Sequence, residues 1–215
     1  MNVTRSTSRA EPHWTRYDAS VRPQALILML HGGKDRSRQV VDGRSASWRR
    51  SRSMQRVISR RASEAYVSTW LLRYRHRGWN GTGAGATEDA RQALEEIRRA
   101  LGDVPVVLLG HSMGGRVAVH VADDRSVQGV VALAPWWQPG DPVRTLQGRT
   151  LRAAHGRADR ITSYAATAAY VDRARREGVD AGLTDMGGLG HYMLAGSRRW
   201  SSTARDLVLE VLGEA

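Results

Sequence analysis

The sequence predicts an α/β domain built on a mostly parallel central sheet of about six or seven strands, with helices on both faces. Short apolar runs alternate with helical patterns along the chain, and several runs are apolar at nearly every position. Strands buried on both faces need such a composition, and strands that alternate with helices form parallel βα units. No internal repeat or linker divides the chain, so residues 23–215 are expected to form a single domain.

The predicted strands are apolar runs that are mostly too short to be helices. They are QALILML (24–30), AYVSTWLLR (65–73), VPVVLL (104–109), VQGVVALA (127–134), RTLRAA (149–154) and VDAGLT (179–184). Residues 1–22 are polar and are expected to form an N-terminal arm. One edge strand near residues 14–18 of this arm would be the seventh strand of the sheet.

Helical patterns separate the runs. Residues 87–102 have Thr87 as a candidate N-cap, acids in the first turn and Gly102 after the last turn. Two further helices are predicted, from Thr162 to Gly178 and over about residues 200–212. The glycine-rich stretch NGTGAGA (80–86) fits no phosphate-binding spacing and is predicted to be a mobile loop.

Composition excludes several function classes. The 215 residues include no cysteine, which excludes disulfides, thiolate metal sites and cysteine catalysis. The seven histidines show no metal-ligand spacing, so neither a metal nor a cofactor is expected. The first twenty residues contain no apolar signal segment, and no apolar run approaches the about 20 residues that span a bilayer. A cytoplasmic location is the expectation.

The chain is strongly basic. Its formal charge is +12, and Lys34 is the single lysine in a chain otherwise rich in arginine. The segment 36–61 carries nine arginines and one acid, Asp42. The favoured interpretation is a solvated helix face and loop, because only Trp48 supplies the aromatic contact typical of nucleic-acid surfaces. The alternative is that this segment binds an anionic partner, either nucleic acid or a lipid surface.

The stretch LLGHSMGGRVAVHVA (108–122) points to a nucleophile. Residues 110–114 match G-x-S-x-G, directly after a predicted strand and at the start of a helical pattern. A turn this tight strains the serine backbone and projects the Ser112 hydroxyl above the sheet. Side chains two residues to either side would collide, so Gly110 and Gly114 are required at those positions.

A serine needs a base, and the base needs an acid that orients it. Asp159 follows the strand at 149–154, and His191 follows the next strand, so both are expected on loops at the carboxyl edge of the sheet. Asp141 and Asp185 also lie on predicted loops and compete for the role of the acid. His155 is the nearest alternative to His191 as the base. It lies at the end of a strand, however, so a packing role is favoured for it.

An oxyanion hole requires backbone N–H donors near the serine. Met113, directly after the serine, is expected to supply one. The second is expected from Gly33 in the HGG stretch 31–33, with Lys34 as the fallback. His31 is expected to brace its loop by hydrogen bonding, and His111 is expected to have a packing role inside the tight turn at residues 110–114.

Together these residues resemble the α/β-hydrolase family, in its compact esterase, lipase or dienelactone-hydrolase-like form. The resemblance rests on HGG at 31–33, the elbow at 110–114, Asp159 in HGRAD and His191 in GLGH, and it runs from about residue 24 to the end. It implies Ser112 as nucleophile, His191 as general acid/base and Asp159 as its orienting acid. It also implies a cofactor-free serine hydrolase that cleaves a carboxylic ester or thioester of a small acyl substrate.

The chain departs from that family at two places. The opening pair of antiparallel strands is short or absent, and residues 134–149 have room for only a loop or one short helix where many members insert a cap. A nearly lidless site is therefore expected, which favours small or flexible substrates. Trp136 and Trp137 are candidates for the wall of a substrate pocket, and the alternative is that one or both cap the core. Lys34, Trp79 and Tyr192 are weaker candidates for the same pocket.

Overall fold

The computed structural model describes residues 11–19 and 21–213. A seven-stranded sheet has the order β1-β3-β2-β4-β5-β6-β7, in which β1 is antiparallel to β3 and the other pairs are parallel. The mostly parallel sheet predicted from the apolar runs is thereby confirmed. The strands are β1 His13–Tyr17, β2 Ala25–Leu30, β3 Val67–Arg73, β4 Val106–His111, β5 Val127–Leu133, β6 Thr150–His155 and β7 Asp180–Asp185.

Five helices cover the two faces of the sheet. They are α1 Ala46–Glu64, α2 Ala84–Leu101, α3 Met113–Val121, α4 Tyr164–Arg176 and α5 Ser197–Leu212. One face packs on α2, α3 and α4, and the other packs on α1 and α5. Successive residues of β2 alternate between these two apolar clusters, as the pleat of a strand requires. Since both faces are covered, every residue of β2 and β4 is buried.

The edge strand expected near residues 14–18 is β1, which pairs with β3 in the register Trp14↔Leu72. Its neighbour Asp18 accepts a hydrogen bond of 2.8 Å from the Trp70 indole N–H, which ties the arm to the buried face of β3. Residues 1–10 and residue 20 of the predicted arm lie outside the described residues.

The helix starts differ from the sequence predictions. Helix α2 begins at Ala84, not after Thr87, and its N-cap is Gly83 with φ of 76°. Thr87 Oγ1 donates to the Gly83 carbonyl at 3.1 Å. Thr87 therefore lies within the helix and is not its N-cap. The predicted loop at 80–86 is accordingly a turn up to Gly83 followed by helix. In α4 the N-cap is Ser163, whose side chain accepts from Ala166 N–H, and not Thr162.

The arginine-rich segment 36–61 divides into a loop and most of α1. The inner face of α1 buries Met54, Ile58 and Ala62 against the sheet. Full burial of side chains the size of Met54 and Ile58 contributes about 1.5–3 kcal/mol each, which anchors the helix despite its charge. Most of the arginines of α1 therefore face outward, in agreement with the predicted solvated helix face.

The segment 134–149 holds no cap domain. It consists of loop and one 3₁₀ helix, Arg144–Leu146. The minimal cap predicted from the length of this segment is confirmed, and the carboxyl ends of β4, β6 and β7 are left without an inserted domain above them.

Candidate active site

Ser112 stands at the sharp turn between β4 and α3. Its φ of 55° and ψ of −117° are rare for a residue with a side chain, and such strain persists only where the surroundings enforce it. Ser112 N–H donates to Leu133 O at 3.0 Å, and Ser112 O accepts from Gly115 N–H at 3.0 Å and Trp136 N–H at 3.1 Å. These bonds hold the turn from both sides.

Gly110 and Gly114 are required at this turn for the steric reason that the sequence predicts. A Cβ on Gly110 would collide with the carbonyl of Gly114, and a Cβ on Gly114 would collide with the carbonyl of Leu30 at the end of β2. The obstacles are backbone atoms of paired elements, so they have no room to move aside. The spacing of the two glycines follows from these contacts.

His191 lies on the loop after β7, with its ring against the serine. Nε2 of His191 is 3.1 Å from Ser112 Oγ, and both side chains are largely buried. The backbone carbonyl of His191 accepts a hydrogen bond of 3.1 Å from His111 Nε2–H. His111 therefore fixes the loop that carries His191, a more specific role than the packing role predicted for it.

Asp159 lies on the loop after β6 and faces the other side of the His191 ring. Its Oδ2 accepts from His191 Nδ1–H at 2.8 Å, and its side chain is fully buried. Oδ1 accepts from the backbone N–H groups of Ile161 at 2.7 Å and Thr162 at 2.9 Å. Burial acts to raise the pKa of Asp159, but the hydrogen bonds from His155, His191, Thr162 and Ile161 outweigh it and hold the pKa well below its usual range.

The other two candidate acids are engaged elsewhere. The Asp141 carboxylate pairs with Arg116 at 2.9 Å and accepts from His120 Nε2–H at 3.1 Å. Asp185 pairs with Arg157 at 2.7 Å and accepts from Gly187 N–H. Of the three acids that competed in the sequence, Asp159 is the one in contact with His191.

Two further residues at this carboxylate could not be assigned from the sequence. His155 is completely buried, and its Nε2–H donates to Asp159 Oδ2 at 3.1 Å while its Nδ1 accepts from Thr167 Oγ1–H at 2.8 Å. Thr162 Oγ1–H donates to the same oxygen at 2.9 Å. None of these bonds joins His155 to Ser112, so it is His191, and not His155, that the structure brings to the serine.

The HGG stretch lies beside the elbow. A Cβ placed on Gly32 would lie 3.3 Å from Ser112 Cβ, and one placed on Gly33 would collide with the Met113 sulfur. Within residues 11–19 and 21–213, neither Gly33 N–H nor Met113 N–H donates to a protein acceptor. Lys34 N–H donates to Arg77 O at 2.8 Å, so this N–H is already occupied and the fallback donor predicted from the sequence was wrong.

Two histidines are buried beneath the site. Burial lowers the pKa of His31 from 6.5 to about 4, and burial with the nearby His191 lowers that of His111 from 6.5 to about 3. His31 Nδ1–H donates to Gly32 O at 2.7 Å, which braces the HGG loop as the sequence predicts. Both rings are neutral at neutral pH and act as fixed hydrogen-bond donors.

These buried histidines predict a loss of stability in acid. Between pH 6.5 and about 4 the unfolded chain protonates both, while the folded chain keeps them neutral, so the free energy of unfolding falls as the pH falls. Each is expected to contribute about 1.4 kcal/mol per pH unit over this range. Urea unfolding from pH 7 to pH 4.5 measures the slope in wild type and in His111→Gln, which keeps an N–H near the Nε2 position. An equal slope in the two proteins would contradict the assignment.

The candidate pocket residues have different environments. Trp137 is 3% exposed, its Nε1–H donates to Gly115 O, and its ring stacks on Tyr170, so it belongs to the core and the structure does not place it in a pocket wall. Trp136 is partly exposed, and Arg116 lies over its ring and over that of Trp79, at 4.7 and 4.2 Å. Trp79 itself is buried.

The two remaining pocket candidates are exposed. Tyr192 is half exposed and directly adjoins the site, with its ring 5.5 Å from the ring of His191. Lys34 is exposed on the loop after β2, in a backbone bridge with Gly78. No helix among the described residues has the length and apolar character needed to cross a membrane.

Comparison with family models identifies one family. The model of the alpha/beta hydrolase family matches residues 27–211. No curated protein matches the sequence. Among solved structures, an alpha-beta serine hydrolase homologue from Coxiella burnetii is similar at a TM-score of 0.70 and 14% identity, over 91% of this chain and 90% of that one.

Two further structures have a similar fold. Esterase PE8 matches with a TM-score of 0.71 and 17% identity, over 94% of this chain and 99% of that one. XC6422 from Xanthomonas campestris, described as an α/β serine hydrolase without a lid, matches with a TM-score of 0.61 and 17% identity, over 94% of both chains. At these identities the likeness concerns the fold.

Proposed function

This chain belongs to the alpha/beta hydrolase family, and we propose that it is a serine hydrolase that cleaves a carboxylic ester or thioester through an acyl-enzyme on Ser112. One observation carries the proposal: Ser112 Oγ is 3.1 Å from His191 Nε2, and His191 Nδ1 is 2.8 Å from Asp159 Oδ2. The three side chains come from three loops at one edge of the sheet. A strained serine backbone is typical of a nucleophile held for attack.

The proton positions follow from the hydrogen bonds. Asp159 is ionised and can only accept, so the proton of neutral His191 sits on Nδ1 and leaves the Nε2 lone pair facing Ser112. Nε2 takes the hydroxyl proton as Ser112 Oγ forms a bond to the substrate carbonyl carbon. The resulting imidazolium is stabilised by the Asp159 carboxylate, which itself stays ionised.

The tetrahedral intermediate places a negative charge on the former carbonyl oxygen. Met113 N–H and Gly33 N–H are the proposed donors to this oxygen, and loss of one such donor in other hydrolases costs about 2.7–4 kcal/mol of transition-state stabilisation. As the intermediate collapses, the alcohol or thiol leaves with the proton from His191 Nε2. A water molecule then attacks the acyl carbon while Nε2 takes its proton. The bond from the acyl carbon to Ser112 Oγ breaks, Nε2 returns the proton to Oγ, and the acid is released.

The absence of a cap in residues 134–149 bears on the substrate. No inserted domain lies above the carboxyl ends of the strands, so the choice of substrate depends on residues at the rim of the site, where Tyr192 and Trp136 are partly exposed. We therefore expect small or flexible acyl substrates.

The test of this proposal is labelling with a fluorophosphonate, which reacts with a serine only when a neighbouring base activates it. Folded wild type is expected to form a single adduct, which mass mapping places on Ser112. Ser112→Ala is the matched control and is expected to remain unlabelled. A folded wild type that resists the probe, or an adduct on another serine, would refute the proposal.

The arginine-rich segment 36–61 supports a second candidate, in which the same scaffold binds an anionic partner such as nucleic acid or a lipid surface. Among the described residues, Arg36 is the only one of its nine arginines with a carboxylate within 4.0 Å. This candidate predicts oligonucleotide or vesicle binding that falls steeply with salt and is unaffected by Ser112→Ala. Weak binding to oligonucleotides and vesicles at physiological salt would refute this second candidate.

A further inference from the structure

A groove of about 480 Å³ lies between the N-terminal turns of α1 and α5 and the loop that follows His191. We refer to it as the arginine groove. Three arginines line it, Arg49 and Arg50 from α1 and Arg198 from α5. Its apolar lining includes Met54, Val57, Met193 and Leu194.

Among the residues that the structure describes, no acid lines the arginine groove. Within the described ranges, no carboxylate lies within 4.0 Å of the guanidinium of Arg49, Arg50 or Arg198. Arg50 Nε is buried and has no hydrogen-bond partner in the same residues. By contrast, Arg116 and Arg152, which also lie partly buried, each pair with a carboxylate. The groove therefore concentrates unneutralised positive charge.

The two helix ends add to this charge. Ala46 and Ser197 are the first residues of α1 and α5, and both line the groove. Neither helix has a side-chain cap or an acid in its first turn. The N-terminus of a helix favours negative charge, so arginines at these positions oppose the helix dipole and weaken the helix. An anion held between the two ends would relieve this repulsion.

The lining also suits an apolar chain. Val57 and Leu194 are 55% and 72% exposed, and Met193 and Met54 form the buried part of the same surface. Exposed aliphatic side chains beside free guanidinium groups match a ligand that has a hydrocarbon segment and an anionic end.

The arginine groove adjoins the proposed catalytic residues. The Arg50 guanidinium lies 5.1 Å from the centre of the Tyr192 ring, and that ring lies 5.5 Å from the ring of His191. The Tyr192 ring thus separates Arg50 from His191, the proposed base. Met193, which lines the groove, follows His191 by two residues in the chain. This proximity is the geometric basis for linking the groove to the proposed catalytic residues.

We propose that the arginine groove binds the anionic group of the substrate, so that the enzyme prefers esters or thioesters that carry a carboxylate, sulfate or phosphate at the end of a short apolar chain. This inference rests on the proposed function for the chemistry at Ser112. The charged end is held by Arg49, Arg50 and Arg198, and the ester lies at the serine.

Two matched pairs of esters test the preference on either side of the ester bond. The first compares mono-4-nitrophenyl adipate with 4-nitrophenyl hexanoate. The second compares the hexanoate ester of 6-hydroxyhexanoic acid with hexyl hexanoate, followed by titration of released acid. In at least one pair the charged member is expected to have a kcat/KM about 10-fold higher, since a hydrogen bond to a charged group contributes about that factor.

Arg50→Gln/Arg198→Gln is the test variant, and its charged-to-neutral ratio is expected to fall about 10-fold, towards one. Arg56→Gln/Arg60→Gln is the matched control, because it removes the same charge from outside the groove and both residues come from the outer face of α1. The control is expected to keep the wild-type ratio. Equal kcat/KM values within both pairs, or an equal fall in test and control variants, would overturn the proposal.

A binding measurement separates this inference from the proposed function. Ser112→Ala is titrated calorimetrically with octyl phosphate, and adding the two test substitutions is expected to weaken binding at least about 10-fold. Arginine-dependent binding with no ester hydrolysis and no labelling would refute the serine chemistry and keep the anion site. Ester hydrolysis without any preference for the charged esters would keep the serine chemistry and refute the anion site. Arginine-dependent binding to phosphatidylglycerol vesicles, with none to octyl phosphate, would overturn the proposal in favour of a lipid surface.

Discussion

Asp159→Asn is expected to lower kcat about 10³- to 10⁴-fold, while the protein stays folded. The reason lies in the direction of the hydrogen bonds at this side chain. Oδ1 accepts two backbone N–H groups, which can only donate, whereas the side chains at Oδ2 are histidines and a threonine that can also accept. The oxygen of an asparagine therefore takes the Oδ1 place. The amide nitrogen then faces His191 Nδ1, which must accept, and the histidine proton moves to Nε2. In that tautomer His191 cannot take the proton of Ser112.

Asp185→Asn is the matched control. Asp185 lies on the same edge of the sheet, and its partially exposed carboxylate pairs with Arg157, away from His191. Steady-state hydrolysis of a 4-nitrophenyl ester and the rate of fluorophosphonate labelling are measured for both variants. Asp185→Asn is expected to keep both rates within about 2-fold of wild type, because its partners are Arg157 and Gly187 N–H and not the proposed catalytic residues. Similar losses in the two variants would show that Asp159 does not orient the base.

Much of the fold and the proposed catalytic residues could be predicted because the responsible signals are local in sequence. A strand buried on both faces is apolar at almost every position, as in β2 and β4. The elbow is recognised by the local G-x-S-x-G spacing, although Gly114 is required by a contact with Leu30 of another strand. Asp159 and His191 follow consecutive strands, and parallel strands bring their carboxyl ends to one edge. The order of the residues along the chain is enough for that inference.

The remainder depends on side-chain directions that the sequence leaves open. Trp136 and Trp137 are neighbours, yet one is partly exposed and the other lies in the core, because successive side chains after β5 point in different directions. His155 contacts Asp159 only through the path of the loop between them. Arg50 and Arg198 are far apart in the sequence and line one groove through the packing of α1 beside α5, which no local pattern encodes.

Gly114→Ala is expected to reduce the free energy of unfolding by at least about 3 kcal/mol. The new Cβ would collide with the carbonyl of Leu30, the last residue of β2. Leu30 is paired with Leu72 on one side and Gly110 on the other, so β2 cannot retreat without breaking bonds to both neighbouring strands. Alanine has the higher helix propensity, but the gain of about 1 kcal/mol is too small to offset the collision.

Gly115→Ala provides the comparison at the next position of α3. Its Cβ would lie 3.0 Å from Pro135 Cβ and 3.4 Å from Ala132 Cβ, tight contacts with side chains and not with a strand backbone. The propensity gain is the same for both substitutions, so the difference in urea unfolding isolates the contact with β2. We expect Gly115→Ala to lie within about 1 kcal/mol of wild type. Equal destabilisation of the two variants would mean that the end of β2 can yield.

The same collision connects stability to reactivity. Leu30 leads directly into the HGG stretch, so any shift that accommodates a Cβ at residue 114 also displaces Gly33, the proposed oxyanion donor, relative to Ser112. The folded fraction of Gly114→Ala is therefore expected to react with fluorophosphonate more slowly than folded Gly115→Ala. If the two folded proteins label at the same rate, the end of β2 and the elbow adjust independently, and the second donor must be sought outside the HGG stretch.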